Sequence, residues 1–173
     1  KWKRRVIMPS FDVAGNLNYF VARAIDNNRR PKYDNPHVDH RQVVFNEINI
    51  DWSKPLVLVE GPFDMTKCPN NSTALLGSDF SEQHELFNRI LLHNTKVYLA
   101  MDGDMWETKT PKIYKKLAEY DVDVKVVDVR QWGDPGNMSR SQIVEAIQAA
   151  RNLSWNDSFT NKLNRAINTT SSF

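Results

Sequence analysis

The sequence predicts an α/β protein in which helices flank a parallel β-sheet, and three observations support this fold class. Two short apolar runs, residues 56–59 and 97–101, each end abruptly in carboxylates beside a glycine. Their length and their content of Val and Leu are typical of strands that are buried on both faces. From residue 55 onward, such runs alternate with stretches of helical periodicity. This alternation favours a parallel sheet with right-handed crossovers.

Residues 1–54 are predicted to form a small β-rich subdomain in front of that sheet. Residues 4–8 and 17–25 have the composition of strands, and Ala14-Gly15-Asn16 between them predicts a hairpin turn. Residues 26–37 are polar and contain two prolines, so they are predicted to form a loop.

Residues 55–135 are predicted to contain the main sheet and its helices. The predicted strands are 56–59, 73–76, 97–101 and 124–127. A short helix is predicted to begin at Pro62, and a third helix is predicted over 111–120. Between them, Asp79 and Glu82 form a capping-box pattern that predicts the start of the second helix.

Residues 136–173 are predicted to form a C-terminal helical segment. Ser139 followed by Gln142 is a capping-box pattern at the start of one helix. Ser154 with Asp157 would cap a last helix in the same way.

Carboxylates cluster where two of the predicted strands end. Glu60 and Asp64 follow the first of these strands, and Asp102 and Asp104 follow the other. The carboxyl ends of parallel strands form the crevice in which α/β proteins bind ligands, so these side chains should meet. Four carboxylates in one place repel one another unless cations lie between them. Because oxygen-only ligand sets suit Mg²⁺, the sequence predicts a divalent-cation site here.

Charge is distributed unevenly along the chain. The net charge is +2, but residues 1–32 hold eight Lys or Arg and two Asp, a balance of +6, which leaves −4 for the remainder. A basic arm beside an acidic pocket suits an enzyme that acts on polyphosphates or nucleic acid. A solvated basic face without a partner would give the same balance.

Composition excludes several other classes of protein. The single cysteine, Cys68, excludes an intrachain disulfide and a cysteine-based zinc site. No stretch approaches the roughly 20 apolar residues of a membrane span, so no membrane partner is expected. Because the chain begins with Lys1 rather than Met, we expect it to be part of a longer protein.

Three acidic signals occur in order along the chain. They are Glu60-Gly61-x-x-Asp64, Asp102-Gly103-Asp104 and an acidic loop at Asp134. In this placement they resemble the Toprim domain, which is shared by bacterial-type primases, type IA and type II topoisomerases and some nucleases. The alternative is an ordinary doubly wound fold whose turns happen to be acidic.

The flanking residues resemble bacterial-type primases in particular. Arg4 to Pro9 and Ala22 to Ile25 are similar to the strand pair that opens the primase catalytic core. Lys32-Tyr33-Asp34-Asn35 resembles the Lys-Tyr-x-Asn run that precedes the Toprim sheet in primases. The resemblance covers nearly all of residues 4–148.

The chain departs from the primase pattern at two places. Val21-Ala22-Arg23 stands where the family usually has Gly-Gly before an arginine, and Gly136 replaces the second acid of the third motif. Such drift would fit a phage-encoded or otherwise divergent relative. Without this acid, one metal ion would be held less tightly or through water, and Asp128 could substitute for the acid in part.

The resemblance implies roles for individual residues. The catalytic residues that it implies are Glu60, Asp64, Asp102 and Asp104. The metal ligands that it implies, for Mg²⁺ or Mn²⁺, are Glu60, Asp102, Asp104 and Asp134. The implied nucleotide-binding or DNA-binding residues are Arg23, Arg29, Arg30, Lys32 and Asn35. Whether Glu60 is a ligand or a general base stays open, as does whether Asp64 ligates or orients, and Trp106 could contact a base or simply pack.

The function that the resemblance implies is synthesis of short RNA primers on single-stranded DNA during replication. The implied partners are the template strand, ribonucleoside triphosphates and a replicative helicase, the last contacted through regions outside this chain. The expected location is the cytoplasm, or the host cytoplasm for a phage protein. A Toprim nuclease that cuts DNA and a non-catalytic nucleic-acid-binding module are the alternatives.

Overall fold

Two sheets organise the protein, and the computed structural model describes residues 2–77 and 80–153. The smaller sheet is a hairpin in which β1 (Arg5–Phe11) pairs antiparallel with β2 (Leu17–Ala24). The larger sheet has four parallel strands in the order β4-β3-β5-β6, namely β3 (Leu56–Val59), β4 (Ser72–Ala74), β5 (Val97–Ala100) and β6 (Val124–Val126). The α-helices of the described residues are α1 (Glu85–His93), α2 (Thr110–Ala118) and α3 (Arg140–Gln148).

Helices cover both faces of the parallel sheet, which confirms the predicted α/β class. On one face, Leu58 packs in a cluster that includes Phe87 of α1 and Leu117 of α2. On the other face, Val59 belongs to a cluster that includes Ile143 of α3. All four residues of β3 are buried, as expected for a central strand of a parallel sheet.

The strand order creates a topological switch between β3 and β5. From β3 the chain continues to β4 on one side, and after α1 it continues to β5 on the opposite side. Val59 lies opposite Ala100 in the register, so the residues after both strands leave the sheet side by side. Open α/β sheets bind ligands in the crevice at such a point.

The hairpin packs over the loop that follows β3. Tyr19 and Val21 form a small apolar cluster with Phe45, and Phe63 packs against it. Asn35 Oδ1 accepts a hydrogen bond from the backbone N–H of Ala22 at 3.0 Å, which fastens the predicted loop along β2. Arg23 of β2 and Lys32 of this loop thereby line a cavity together with Glu60 and Asp102 at the carboxyl end of the parallel sheet.

Two of the predicted helices differ from the observed elements. Helix α1 begins at Glu85, because the carboxylate of Glu82 is instead engaged by Lys116 Nζ at 2.6 Å and by the Tyr120 hydroxyl at 3.2 Å. Asp79, its predicted N-cap, lies outside the described residues. The helix predicted from Pro62 is a single 3₁₀ turn, Asp64–Lys67, because only four residues separate that turn from β4. The predicted helix after Ser154 also lies outside the described residues.

The polar loop before α3 contains the 3₁₀ turn Pro135–Asn137.

Within residues 2–77 and 80–153, no helix has the length and apolarity needed to cross a bilayer. The division of the chain at residues 54 and 135 stays a prediction.

The capping box of α3 provides a stability prediction. Ser139 Oγ accepts a hydrogen bond from the backbone N–H of Gln142 at 3.3 Å, and Gln142 Oε1 accepts one from the backbone N–H of Ser139 at 2.8 Å. Ser139→Ala removes the first of these bonds and should lower the free energy of unfolding by about 1 kcal/mol. Urea denaturation measures this, and Ser139→Thr, which keeps the hydroxyl, should recover most of the loss. Equal midpoints for Ser139→Ala and the parent protein would contradict the prediction.

Candidate metal centre

Three carboxylates converge at the switch point of the sheet. Glu60 directly follows β3, Asp102 comes two residues after β5, and Asp104 lies in the 3₁₀ turn Gly103–Met105. Each offers one oxygen, and these oxygens all lie within 4.8 Å of one another. Three carboxylate oxygens at this spacing could hold a hard divalent cation.

The turn between Asp102 and Asp104 fits tightly against a neighbouring loop. The backbone N–H of Gly103 donates to the Gly133 carbonyl at 2.6 Å. A Cβ at position 103 would lie 3.0 Å from that same carbonyl oxygen and 3.2 Å from Arg130 Cα. Glycine is therefore needed here for the close approach of two backbones.

The electrostatics of the site favour a cation. Burial, followed by the negative charges of Asp64, Glu60, Asp134 and Asp104, raises the pKa of Asp102 to about 7. Among the described residues, neither the buried Oδ1 of Asp102 nor the buried Oε2 of Glu60 has a hydrogen-bond partner. Buried carboxylate oxygens are normally satisfied, so these two oxygens fit ligation of a metal ion.

Asp64 and Asp134 stand beside this triad and are partly engaged by the backbone. Asp64 Oδ2 accepts a hydrogen bond from the Gly61 N–H at 3.2 Å, and Asp134 Oδ1 accepts one from the Asn137 N–H at 2.9 Å. Burial and the nearby charge of Asp134 raise the pKa of Asp64. Both side chains line the same cavity as Glu60 and Asp102.

Gly136 is what allows Asp64 to lie so close to Asp134. A Cβ at position 136 would lie 2.8 Å from Asp64 Oδ1 and 3.0 Å from Asp134 Oδ1. The space that a second acid of the third motif would enter is therefore already taken by Asp64. Asp128, predicted as a partial substitute, is instead paired with Arg130 and lines a different groove.

The cavity has a cationic wall opposite the acids. It has a volume of about 760 Å³, and Arg23, Lys32, Tyr33, Asn35 and Phe63 line it together with the carboxylates. The Arg23 guanidinium lies 5.0 Å from the Phe63 ring centroid and 6.0 Å from that of Tyr33. Such cation–π contacts hold the charge towards the cavity. Arg29 and Arg30 do not belong to its lining in the described part of the chain.

Sequence reasoning missed Lys109. Its Nζ lies 3.2 Å from Glu60 Oε1, and the two side chains are only 24% and 25% exposed. The only signal in the sequence was its position seven residues after Asp102, at the start of the next helix. Trp106, by contrast, is 5% exposed with Arg130 stacked 4.2 Å above its ring, and it therefore packs rather than facing the cavity.

Comparisons with known proteins point to one family, although no protein-family model matches the chain. A DNA primase of Mycoplasma pneumoniae is 31% identical over 142 residues, which cover 75% of this chain and 23% of the relative. The Aquifex aeolicus primase, solved with its zinc-binding and RNA polymerase domains, has a TM-score of 0.69 at 25% identity. That match covers 88% of this chain and 41% of that one. A DnaG primase catalytic domain bound to single-stranded DNA has a TM-score of 0.70 at 20% identity. That match covers 86% of this chain and 52% of the solved catalytic domain.

Proposed function

The chain belongs to the bacterial-type DNA primases, and from this we propose that it carries the nucleotidyl-transfer site of an enzyme that makes short RNA primers on single-stranded DNA. The observation that supports this most strongly is the convergence of Glu60, Asp102 and Asp104, because Glu60 and Asp102 line one cavity together with Arg23 and Lys32. Primer synthesis needs such an arrangement, because it combines cation-assisted phosphoryl chemistry with the binding of polyanions.

The acids would hold Mg²⁺ or Mn²⁺. Glu60, Asp102 and Asp104 would bind one ion, and Asp64 and Asp134, which line the same cavity as Asp102, could hold a second one. When bound, the ions stabilise the charge that develops on the attacking and leaving oxygens of nucleotidyl transfer. Asp64 Oδ2 accepts from the Gly61 N–H, and Oδ1 lies beside Gly136.

The cationic wall would bind the polyanionic substrates. Arg23 offers a guanidinium that already contacts two aromatic rings, so binding a triphosphate or a template phosphate costs less side-chain entropy. Lys32 adds a second charge next to Tyr33. Asn35 acts indirectly by holding the loop on β2. Arg29 and Arg30, outside the cavity, would contact the template only beyond the active site.

The remaining partners belong to the same proposal. Ribonucleoside triphosphates would be the substrates, and a replicative helicase would bind through regions outside this chain. The work of such an enzyme is in the cytoplasm, where the DNA is replicated, or in the host cytoplasm if a phage encodes it.

A primer-synthesis assay with a parallel nicking measurement tests the proposal. Purified protein is incubated with single-stranded DNA, labelled ribonucleotides and Mg²⁺ or Mn²⁺, and a supercoiled plasmid is incubated alongside. We expect short RNA products that disappear when EDTA is added. Metal-dependent nicking without incorporation would instead indicate a Toprim nuclease, and DNA binding without either activity would indicate a non-catalytic module.

Arg23 provides a substrate-binding prediction. Arg23→Met removes the charge but keeps an apolar stem against Phe63, so the fold should persist. Loss of a charge-assisted contact worth about 1.5–3 kcal/mol should weaken binding of single-stranded DNA or of nucleotide by roughly 10- to 100-fold. Fluorescence anisotropy of labelled DNA measures DNA binding, and the KM for ribonucleotides reports nucleotide binding. Lys54→Met, a charge removed from the opposite end of β3, is the matched control and should leave both unchanged.

A further inference from the structure

A lysine outside the predicted site is paired with one of its carboxylates. Lys109 Nζ donates to Glu60 Oε1 at 3.2 Å, and three-quarters of each side chain is buried. The other oxygen of Glu60, Oε2, is buried without a hydrogen-bond partner among the described residues. The lysine therefore engages one oxygen of the carboxylate and leaves the second one to the acid cluster.

The backbone of Lys109 is fixed at the junction of the site with helix α2. Its N–H donates to the carbonyl of Met105 at 3.0 Å, and its carbonyl accepts from the N–H of Ile113 at 3.0 Å. The side chain thus reaches from the N-terminus of α2, which is hydrogen-bonded to the turn that carries Asp104, to the end of β3 that is followed by Glu60. No other described residue is seen to bond the side chain of Glu60.

We propose that Lys109 is a positioning residue that holds the Glu60 carboxylate in the orientation in which Oε2 can bind the metal ion with Asp102 and Asp104. This inference rests on the proposed function only in taking the triad as a metal site. Groups that orient metal ligands in this way typically change metal affinity by 10- to 100-fold when they are removed.

A simpler role for Lys109 predicts the opposite sign. If the lysine only neutralised excess negative charge, its ammonium would compete with the metal ion for Glu60. Removing it would then tighten metal binding, because the site would become more negative. A positioning role predicts weaker binding, because Glu60 would be free to turn away from Asp102 and Asp104.

The test measures Mn²⁺ binding by electron paramagnetic resonance, which does not depend on primer synthesis. Lys109→Met should weaken Mn²⁺ binding by roughly 10- to 100-fold, and Lys109→Arg, which keeps a donor and its charge, should restore most of it. Lys112→Met is the matched control, because Lys112 is an exposed lysine of the same helix, and it should leave the affinity unchanged. Unchanged or tighter Mn²⁺ binding by Lys109→Met would overturn the proposal.

A double-mutant cycle shows that Lys109 acts through Glu60. In a Glu60→Gln background, Lys109→Met should have little further effect on Mn²⁺ affinity, since the carboxylate it orients is already gone. Additive losses in the two variants would overturn the positioning role. Thermal unfolding of each variant without metal verifies that it is folded. Mn²⁺ binding that meets these expectations in a protein without primer synthesis would count against the proposed function alone.

Discussion

Asp102→Asn is expected to reduce primer synthesis by about 10³-fold or more while the fold is retained. The negative charges of Asp64, Glu60, Asp134 and Asp104 all act on Asp102. Loss of its charge should therefore weaken the binding of a divalent cation by these acids. Metal ions contribute several kcal/mol to the stabilisation of such transition states, and each 1.36 kcal/mol corresponds to a tenfold change in rate. Incorporation of labelled ribonucleotide under single-turnover conditions measures the loss.

The control for this variant is an acid outside the site. Asp123 precedes β6 and is paired with Lys96 at 2.9 Å on the surface, so Asp123→Asn should keep full activity. Because Asp102→Asn relieves repulsion among carboxylates, its metal-free form should also be at least as stable as the parent protein at pH 8. An Asp102→Asn variant that retains more than a tenth of the activity would contradict the assignment of Asp102 as a ligand.

The parts of the fold that obey local rules could be predicted from the sequence. Strand β3 has the predicted bounds, and the capping box of Ser139 and Gln142 is present as predicted. Both depend on neighbours in sequence, either a continuous apolar run or a spacing of three residues. The start of α1 was predicted wrongly because the partners of Glu82 are Lys116 and Tyr120, more than 30 residues away. Pairing over such distances leaves no periodic signal.

The difference between local rules and long-range contacts also explains which parts of the site could be predicted. The meeting of Glu60 with Asp102 and Asp104 could be predicted, because buried parallel strands bring the residues at their carboxyl ends to one edge of the sheet. The contact between Lys109 and Glu60 could not be, since it depends on the distance between α2 and the end of β3. Gly136, in place of the second acid of the third motif, was expected to leave one metal ion held less tightly or through water. The structure instead places Asp64 within 2.8 Å of where a side chain at 136 would start.

The stability of the metal-free protein is expected to fall as the pH rises from about 4 to 7. Burial and neighbouring charges raise the pKa of Asp102 from 3.8 to about 7 in the folded protein, and the pKa of Asp64 is raised as well. In this window the unfolded chain has released a proton that the folded chain retains, so raising the pH favours unfolding. The opposite dependence, in which stability falls as the pH falls, comes from the carboxyls of Asp39, Asp51 and Glu82, whose pKa values are lowered to about 2. They contribute it only at pH values below the ordinary pKa of a carboxyl.

A divalent cation should reverse this dependence. The ion binds ionised carboxylates, so Mn²⁺ or Mg²⁺ should raise the Tm more at pH 8 than at pH 5.5, where a proton occupies Asp102. Scanning calorimetry from pH 5 to 8, with and without Mn²⁺, measures both trends. Asp102→Asn should flatten the metal-free slope over pH 5–7 and remove most of the cation-dependent shift. If the variant and the parent protein had the same slope, the titrating group would lie elsewhere, because the substitution removes only the Asp102 proton from the comparison.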